Sequence, residues 1–275
     1  MRSDRLISTI DFHTAGIGMR LVTSGLGRLP GSTIAEKRRG FQERLDHLRT
    51  ALCLEPRGHA GLLIAVMTEP VTPGAHFGLF FAYAGGYYVS CGEATIGAAT
   101  AAVETGMVAR TGVATAVAVD TEAGLVETSV RSTGERVAEV TLRWTPSFVL
   151  LAEQAVEVEE VGEVAVDIAL GAGNVFAIVE APRLGVVVKR GMVKRIAQRG
   201  MAVREAVNSQ LQIDVPGTGK ASVDNVLLHE LPRAARVSPN APVGGPGPGR
   251  APPCGPGTAP RTSRHRLSES TRNRR

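Results

Sequence analysis

Apolar residues recur near helical spacing at Ile34, Phe41, Leu45, Leu48 and Leu52, which predicts a helix over 33–52. Before it, 6–11 and 19–24 read as strands, and after it 61–68 and 78–84 read as buried strands. The stretch 94–108 is apolar nearly all round at helical length, so it predicts a helix enclosed by other elements. Beyond it, 113–120, 124–132, 136–144 and 147–156 alternate or run apolar with turns between, as antiparallel strands do. Strands at 163–170 and 174–180, a helix over 193–211 and a strand at 221–228 complete the pattern. Many strands, few helices and hairpin-length links describe an α+β protein, with an all-apolar helix wrapped by curled sheet.

The pattern stops near residue 237. Residues 239–260 are dominated by Pro, Gly, Ala and Arg, and Val237, Val243 and Leu267 are the only branched aliphatic residues from there on. Such a segment buries too little apolar surface to offset its ordering entropy, so 237–275 is expected to be disordered. The tail, 237–275, is thereby set apart from the patterned body.

Charge sharpens this division. The chain has 275 residues and a net charge of +5. Residues 233–275 alone carry nine Arg against one Glu, so the body is left mildly acidic. The basic character therefore belongs to the tail, and no basic face interleaved with aromatics points to a nucleic-acid partner. No apolar run approaches the roughly eighteen residues of a membrane span. Cys53, Cys91 and Cys254 are odd in number and widely spaced, which fits a reducing compartment, here the cytoplasm, and no disulfide framework. No metal-ligand spacing is present and no cofactor is implied.

The chemistry-bearing stretch is Tyr88-Val89-Ser90-Cys91-Gly92-Glu93-Ala94. A cysteine follows a strand and opens the apolar helix. A helix N-terminus offers unpaired N–H groups and partial positive charge, which favour a thiolate and can hold a carboxylate. Taken locally, the same pattern also fits an inert buried cysteine.

Several segments together resemble the proline racemase family, which includes proline racemases, 4-hydroxyproline 2-epimerases and trans-3-hydroxy-L-proline dehydratases. They are Asp11-Phe12-His13-Thr14-Ala15-Gly16, Pro30 to Thr33, Glu36 to Arg39, Leu45 to Arg49, Leu54-Glu55-Pro56-Arg57-Gly58-His59, Tyr88 to Gly97, Asp167 to Val179 and Gly200 to Asn208. The resemblance implies a diaminopimelate epimerase-like fold. It implies two similar halves, a first over 1–145 and an incomplete second over 146–236, each wrapping antiparallel strands around a central helix. It also implies cofactor-free chemistry on a small imino acid, with a possible homodimer. One cysteine removes the α-proton and a second protonates the opposite face. Cys91 is expected as the first, with Gly92 and Glu93 beside it at the substrate. Cys254 is the nearest counterpart of the second, with Gly255, Pro256 and Gly257.

Two departures stand out. The family usually has histidine where this chain has Glu93, and a carboxylate there raises the cost of a neighbouring thiolate. Around Cys254, Arg250 stands where the family has Asp, and 259–266 has no apolar face for a central helix. The expected activity is inversion of the α-carbon of proline or hydroxyproline. The alternatives are dehydration of trans-3-hydroxy-L-proline, or a truncated or frameshifted, impaired family member.

Overall fold

The computed structural model describes residues 5–59 and 61–230, and the backbone of two short strands at 241–243 and 262–266. The chain divides into two compact units, Met1–Thr145 with Pro260–Arg275, and Pro146–Ala259.

The first unit begins with the hairpin β1 (Ser8–Thr14) and β2 (Ile17–Ser24), then α1 (Ile34–Cys53), β3 (Leu63–Thr68) and β4 (Phe77–Tyr83). A short β5 (Gly86–Tyr88) leads into α2 (Gly92–Glu104), followed by the meander β6 (Ala114–Thr121), β7 (Gly124–Thr133) and β8 (Arg136–Arg143). These strands form one mixed sheet in the order β1-β2-β3-β4-β6-β7-β8, with β5 paired to β4. The β2–β3 and β4–β6 pairs are parallel, so each needs a crossover; α1 serves the first, and β5 with α2 the second.

Side-chain alternation gives this sheet two buried faces. Ile64, Val66, Phe80 and Ala82 turn to the core containing Ile34 and Phe41 of α1. Their neighbours Leu63, Ala65, Leu79 and Phe81 turn to the core containing Ala94, Ile96, Ala98 and Ala102 of α2. This explains the two helix patterns. Helix α1 has one apolar stripe because it covers one face. Helix α2 is buried on nearly every side because β1, β2, β3, β6, β7 and β8 all pack against it.

The second unit holds β9 (Phe148–Val158), β10 (Gly162–Gly171), β11 (Asn174–Glu180), α3 (Val193–Gln210), the small hairpin β12 (Ile213–Val215) and β13 (Gly219–Ala221), and β14 (Asn225–His229). Its core is mainly valine from β9, β10, β11 and β14 against Ile196, Val203 and Val207 of α3. Among the described residues it has no counterpart of α2. The single strand expected over 221–228 is instead two, β13 and β14. Asp224 sits in the break, exchanging hydrogen bonds with the backbone of Val175.

In the region expected to be disordered, β15 (Ala241–Val243) lies antiparallel to β14 and β16 (Thr262–Arg266) antiparallel to β8. An edge strand presents unpaired N–H and C=O groups that an extended segment can join whatever its apolar content.

Candidate active site

Cys91 occupies the N-cap of α2 in extended backbone conformation, φ −149° and ψ 113°. Its carbonyl accepts the Thr95 N–H at 3.0 Å and the Thr95 hydroxyl at 2.8 Å, so the first turn closes directly on the cysteine. The helix starts two residues earlier than expected, placing Gly92 and Glu93 inside that turn.

Three long-range contacts fix the turn. The Thr14 hydroxyl donates to the Glu93 carbonyl at 3.0 Å, tying β1 to α2. A Cβ on Gly97 would lie 1.7 Å from the Phe12 ring, so β1 and α2 meet at a distance only glycine allows. A Cβ on Gly92 would lie 3.0 Å from Trp144, whose indole covers the start of the helix.

The strand that delivers the cysteine is clamped from the other side of the sheet. Tyr87 of β5 donates to Asp46 of α1 at 2.6 Å, and Arg49 pairs with the same carboxylate at 2.7 Å. Arg49 also donates to the carbonyls of Tyr83 and Ala84 at the turn before β5. Asp46 is pulled down to about 2, first by Arg49 and also by the Tyr87 hydroxyl. Nearer the N-terminus, Arg20 grips Asp11 with two bonds and donates to the carbonyls of Leu52 and Arg57. The motifs at 11–16 and 54–59 are thereby joined by one guanidinium.

The sulfur itself sits in opposing fields. Burial pushes the Cys91 thiol strongly up, and the Glu93 carboxylate adds to the rise. The N–H groups of Ala94 and Glu93 pull the other way, but by less. The helix amides thus favour the thiolate, as expected of a helix N-terminus, and the Glu93 carboxylate opposes it, but burial sets the net direction. Only 3% of Cys91 is exposed, and desolvation of the anion outweighs two peptide dipoles. The thiol instead donates to Glu93 Oε2 at 3.8 Å. Burial raises Glu93 to about 7, and its own N–H and the thiol only partly offset that rise.

The structure thus brings Cys91, Gly92 and Glu93 together. Cys254, Gly255, Pro256 and Gly257 lie outside the described residues. Thr14, Phe12 and Trp144 complete the surroundings. Trp144, the chain's sole tryptophan, received no role from sequence, because contacts across the sheet leave no trace in local pattern. Among the described residues no group of three or more His, Cys, Asp or Glu gathers as a metal site.

The sequence pattern of the family described as proline racemase matches residues 9–266. This chain belongs to the proline racemase family. The match runs through the segment that carries Cys254. A proline racemase of Clostridioides difficile is 36% identical over 261 residues, covering 94% of this chain and 78% of that protein. A trans-3-hydroxy-L-proline dehydratase of Azospirillum brasilense is 38% identical over 216 residues, 78% of this chain and 64% of that one. A hydroxyproline epimerase from Agrobacterium vitis, solved with bound trans-4-hydroxy-L-proline, superposes with a TM-score of 0.81 at 25% identity, covering 88% of this chain and 71% of that one. Relatives in this enzyme family thus include isomerases and a dehydratase.

Proposed function

We propose that this proline racemase family member inverts the α-carbon of proline or a hydroxyproline without a cofactor, with Cys91 as one acid–base group. The observation that carries the reading is the placement of Cys91 at the N-cap of α2, inside a frame that matches the family, with its thiol hydrogen-bonded to Glu93. In this reading the first-turn N–H groups of α2 receive the substrate carboxylate, where the helix dipole favours negative charge. As thiolate, Cys91 takes the α-proton; as thiol, it returns one. Removal of an α-proton builds negative charge on the carboxylate side, and the same N–H groups stabilise it.

Inversion needs a second proton donor on the opposite face, and Cys254 is the residue we assign to it, with Gly255, Pro256 and Gly257 around the substrate. The support is sequence alone, through a family match that spans the segment. The reading takes a small imino acid as the only partner, with no nucleic acid or membrane, and places the chain in the cytoplasm, as a monomer or homodimer. The unpaired Cys53 and Cys91 support a reducing compartment.

A second reading, dehydration of trans-3-hydroxy-L-proline, is favoured by the dehydratase relative's 38% identity. One assay separates the two. The protein is incubated with L-proline, trans-4-hydroxy-L-proline and trans-3-hydroxy-L-proline, and both optical rotation and pyrroline formation are followed. Change of rotation at constant imino acid supports inversion. Pyrroline formation from the 3-hydroxy compound supports dehydration. Neither signal from a folded protein leaves the impaired-member reading standing.

A further inference from the structure

Glu93 is 6% exposed, and among the described residues no cation pairs with its carboxylate. Among the described residues its side chain meets its own N–H and the Cys91 thiol, 3.8 Å away. A buried carboxylate without a cation is costly unless its proton is part of its role. From this geometry we propose that Cys91 and Glu93 form a single proton-sharing unit, in which Glu93 accepts the thiol proton and so generates the thiolate. The proposal rests on the reading of Cys91 as an acid–base group and adds the residue that switches it.

The transfer balances within the pair. The S–H bond breaks, the proton goes to Glu93 Oε2, and the electron pair stays on sulfur. The carboxylate charge that opposed the thiolate disappears in the same step, so the N–H groups of Glu93 and Ala94 then act on the sulfur against burial alone. Once the thiolate has taken an α-proton the sulfur is a thiol again, and the pair resets when Glu93 releases the proton on Oε2 to solvent. In the reverse direction the Cys91 thiol gives its proton to the substrate and the proton on Oε2 then returns to sulfur. No oxidant or further reactant is required.

The other charged groups on strands packed against α2 are engaged elsewhere or separate from the pair. Asp11 and Arg20 bind each other, Glu127 pairs with Arg143, and Arg131 with Glu139. Asp120 accepts from the backbone of Val71 and Thr72, and Glu104 of α2 from that of Val137. His13 of β1 and Arg136 of β8 are the remaining ones, and neither is hydrogen-bonded to Glu93.

Alkylation of Cys91 by iodoacetamide, followed by peptide mass spectrometry across pH, tests this without any substrate. The wild-type rate is expected to rise in two steps, the first near pH 7 where Glu93 titrates. Glu93→Gln is expected to lose the first step and to show one step, at lower pH than the second wild-type step, because the neighbouring charge is gone. Glu93→Asp, which keeps a carboxylate with shorter reach, is expected to retain a weaker first step. A wild-type profile with a single step and no inflection near pH 7 overturns the proposal even where a variant fails to fold. Two steps without any turnover of imino acids would uphold the pair and overturn the catalytic reading instead, so the two failures are distinct.

Discussion

Two cysteines are buried in the first unit, and their surroundings differ in kind. Cys53 ends α1 and packs with Phe41, Ile64 and Phe80. Burial raises its thiol to about 11, while Arg49 and Arg20 pull it back. Cys91 begins α2, and there burial is reinforced by a carboxylate two residues on. At the first site the nearby charges are cations committed to Asp46 and Asp11, so the sulfur serves as a small apolar filler. At the second, amide N–H groups and a carboxyl near neutrality meet the sulfur, and the proton has somewhere to go. Burial is common to both thiols; what differs is the neighbouring proton acceptor, and the proposed acid–base role of Cys91 rests on that difference.

The sharpest way to break this comparison is to delete each sulfur in turn. Cys91→Ala is expected to lower the rate of inversion, followed by polarimetry, by about 100-fold or more. Cys53→Ala is expected to keep that rate in the folded protein and to lower stability by about 1–2 kcal/mol, read by denaturant unfolding. Equal loss at both positions would mean that Cys91 is filler too.

The next effect concerns the carboxyl. Glu93 has a folded pKa of about 7 against an ordinary 4.5, so the folded state holds its proton longer than the unfolded chain. Its contribution is therefore fully favourable below the lower value, and stability is lost as pH rises between the two. Glu93→Gln is expected to raise stability at mildly alkaline pH by up to about 3 kcal/mol and to flatten the pH dependence. An unchanged unfolding midpoint at both ends of that range would contradict the burial of an ionised group.

Packing comes third. Gly97→Ala drives a methyl into Phe12, and a cost of about 1–3 kcal/mol is expected despite alanine's better helix propensity. Calorimetry showing stabilisation would mean that β1 and α2 separate freely. The smallest effect concerns the clamp under β5. Asp46 is held low by Arg49, so its contribution is present above its ordinary 3.8 and fades as pH falls toward about 2. Asp46→Asn is expected to remove that acid-range dependence in unfolding measurements.

These contacts also mark what the sequence could convey. Helices α1 and α2 were legible because their apolar positions follow the helical period, and the all-round burial of α2 followed from having no polar face. Strand β5 was legible as a strand ahead of Cys91 but without bounds, because three residues, Gly86–Tyr88, are too few to show alternation. The strand expected over 221–228 broke because the Asp224 side chain bonds backbone rather than extending the ladder. At the site, Cys91, Gly92 and Glu93 were legible from one contiguous motif. The seats of Phe12 and Trp144 against the helix were not, since both arise from sheet register across distant segments. The opposing pulls of the helix amides and of Glu93 on the thiol were legible because helix-end chemistry is local, whereas the larger desolvation was not, being set by the whole wrapped core.

The central claim is that the Cys91 sulfur exchanges protons with the α-carbon of an imino acid. Proton NMR of L-proline and trans-4-hydroxy-L-proline in deuterium oxide with the protein reads this directly. The expected result is loss of the α-proton signal, with the ring intact, at a rate that Cys91→Ala abolishes. Persistence of that signal in every imino acid tried, or its loss at the same rate in Cys91→Ala, would contradict the account.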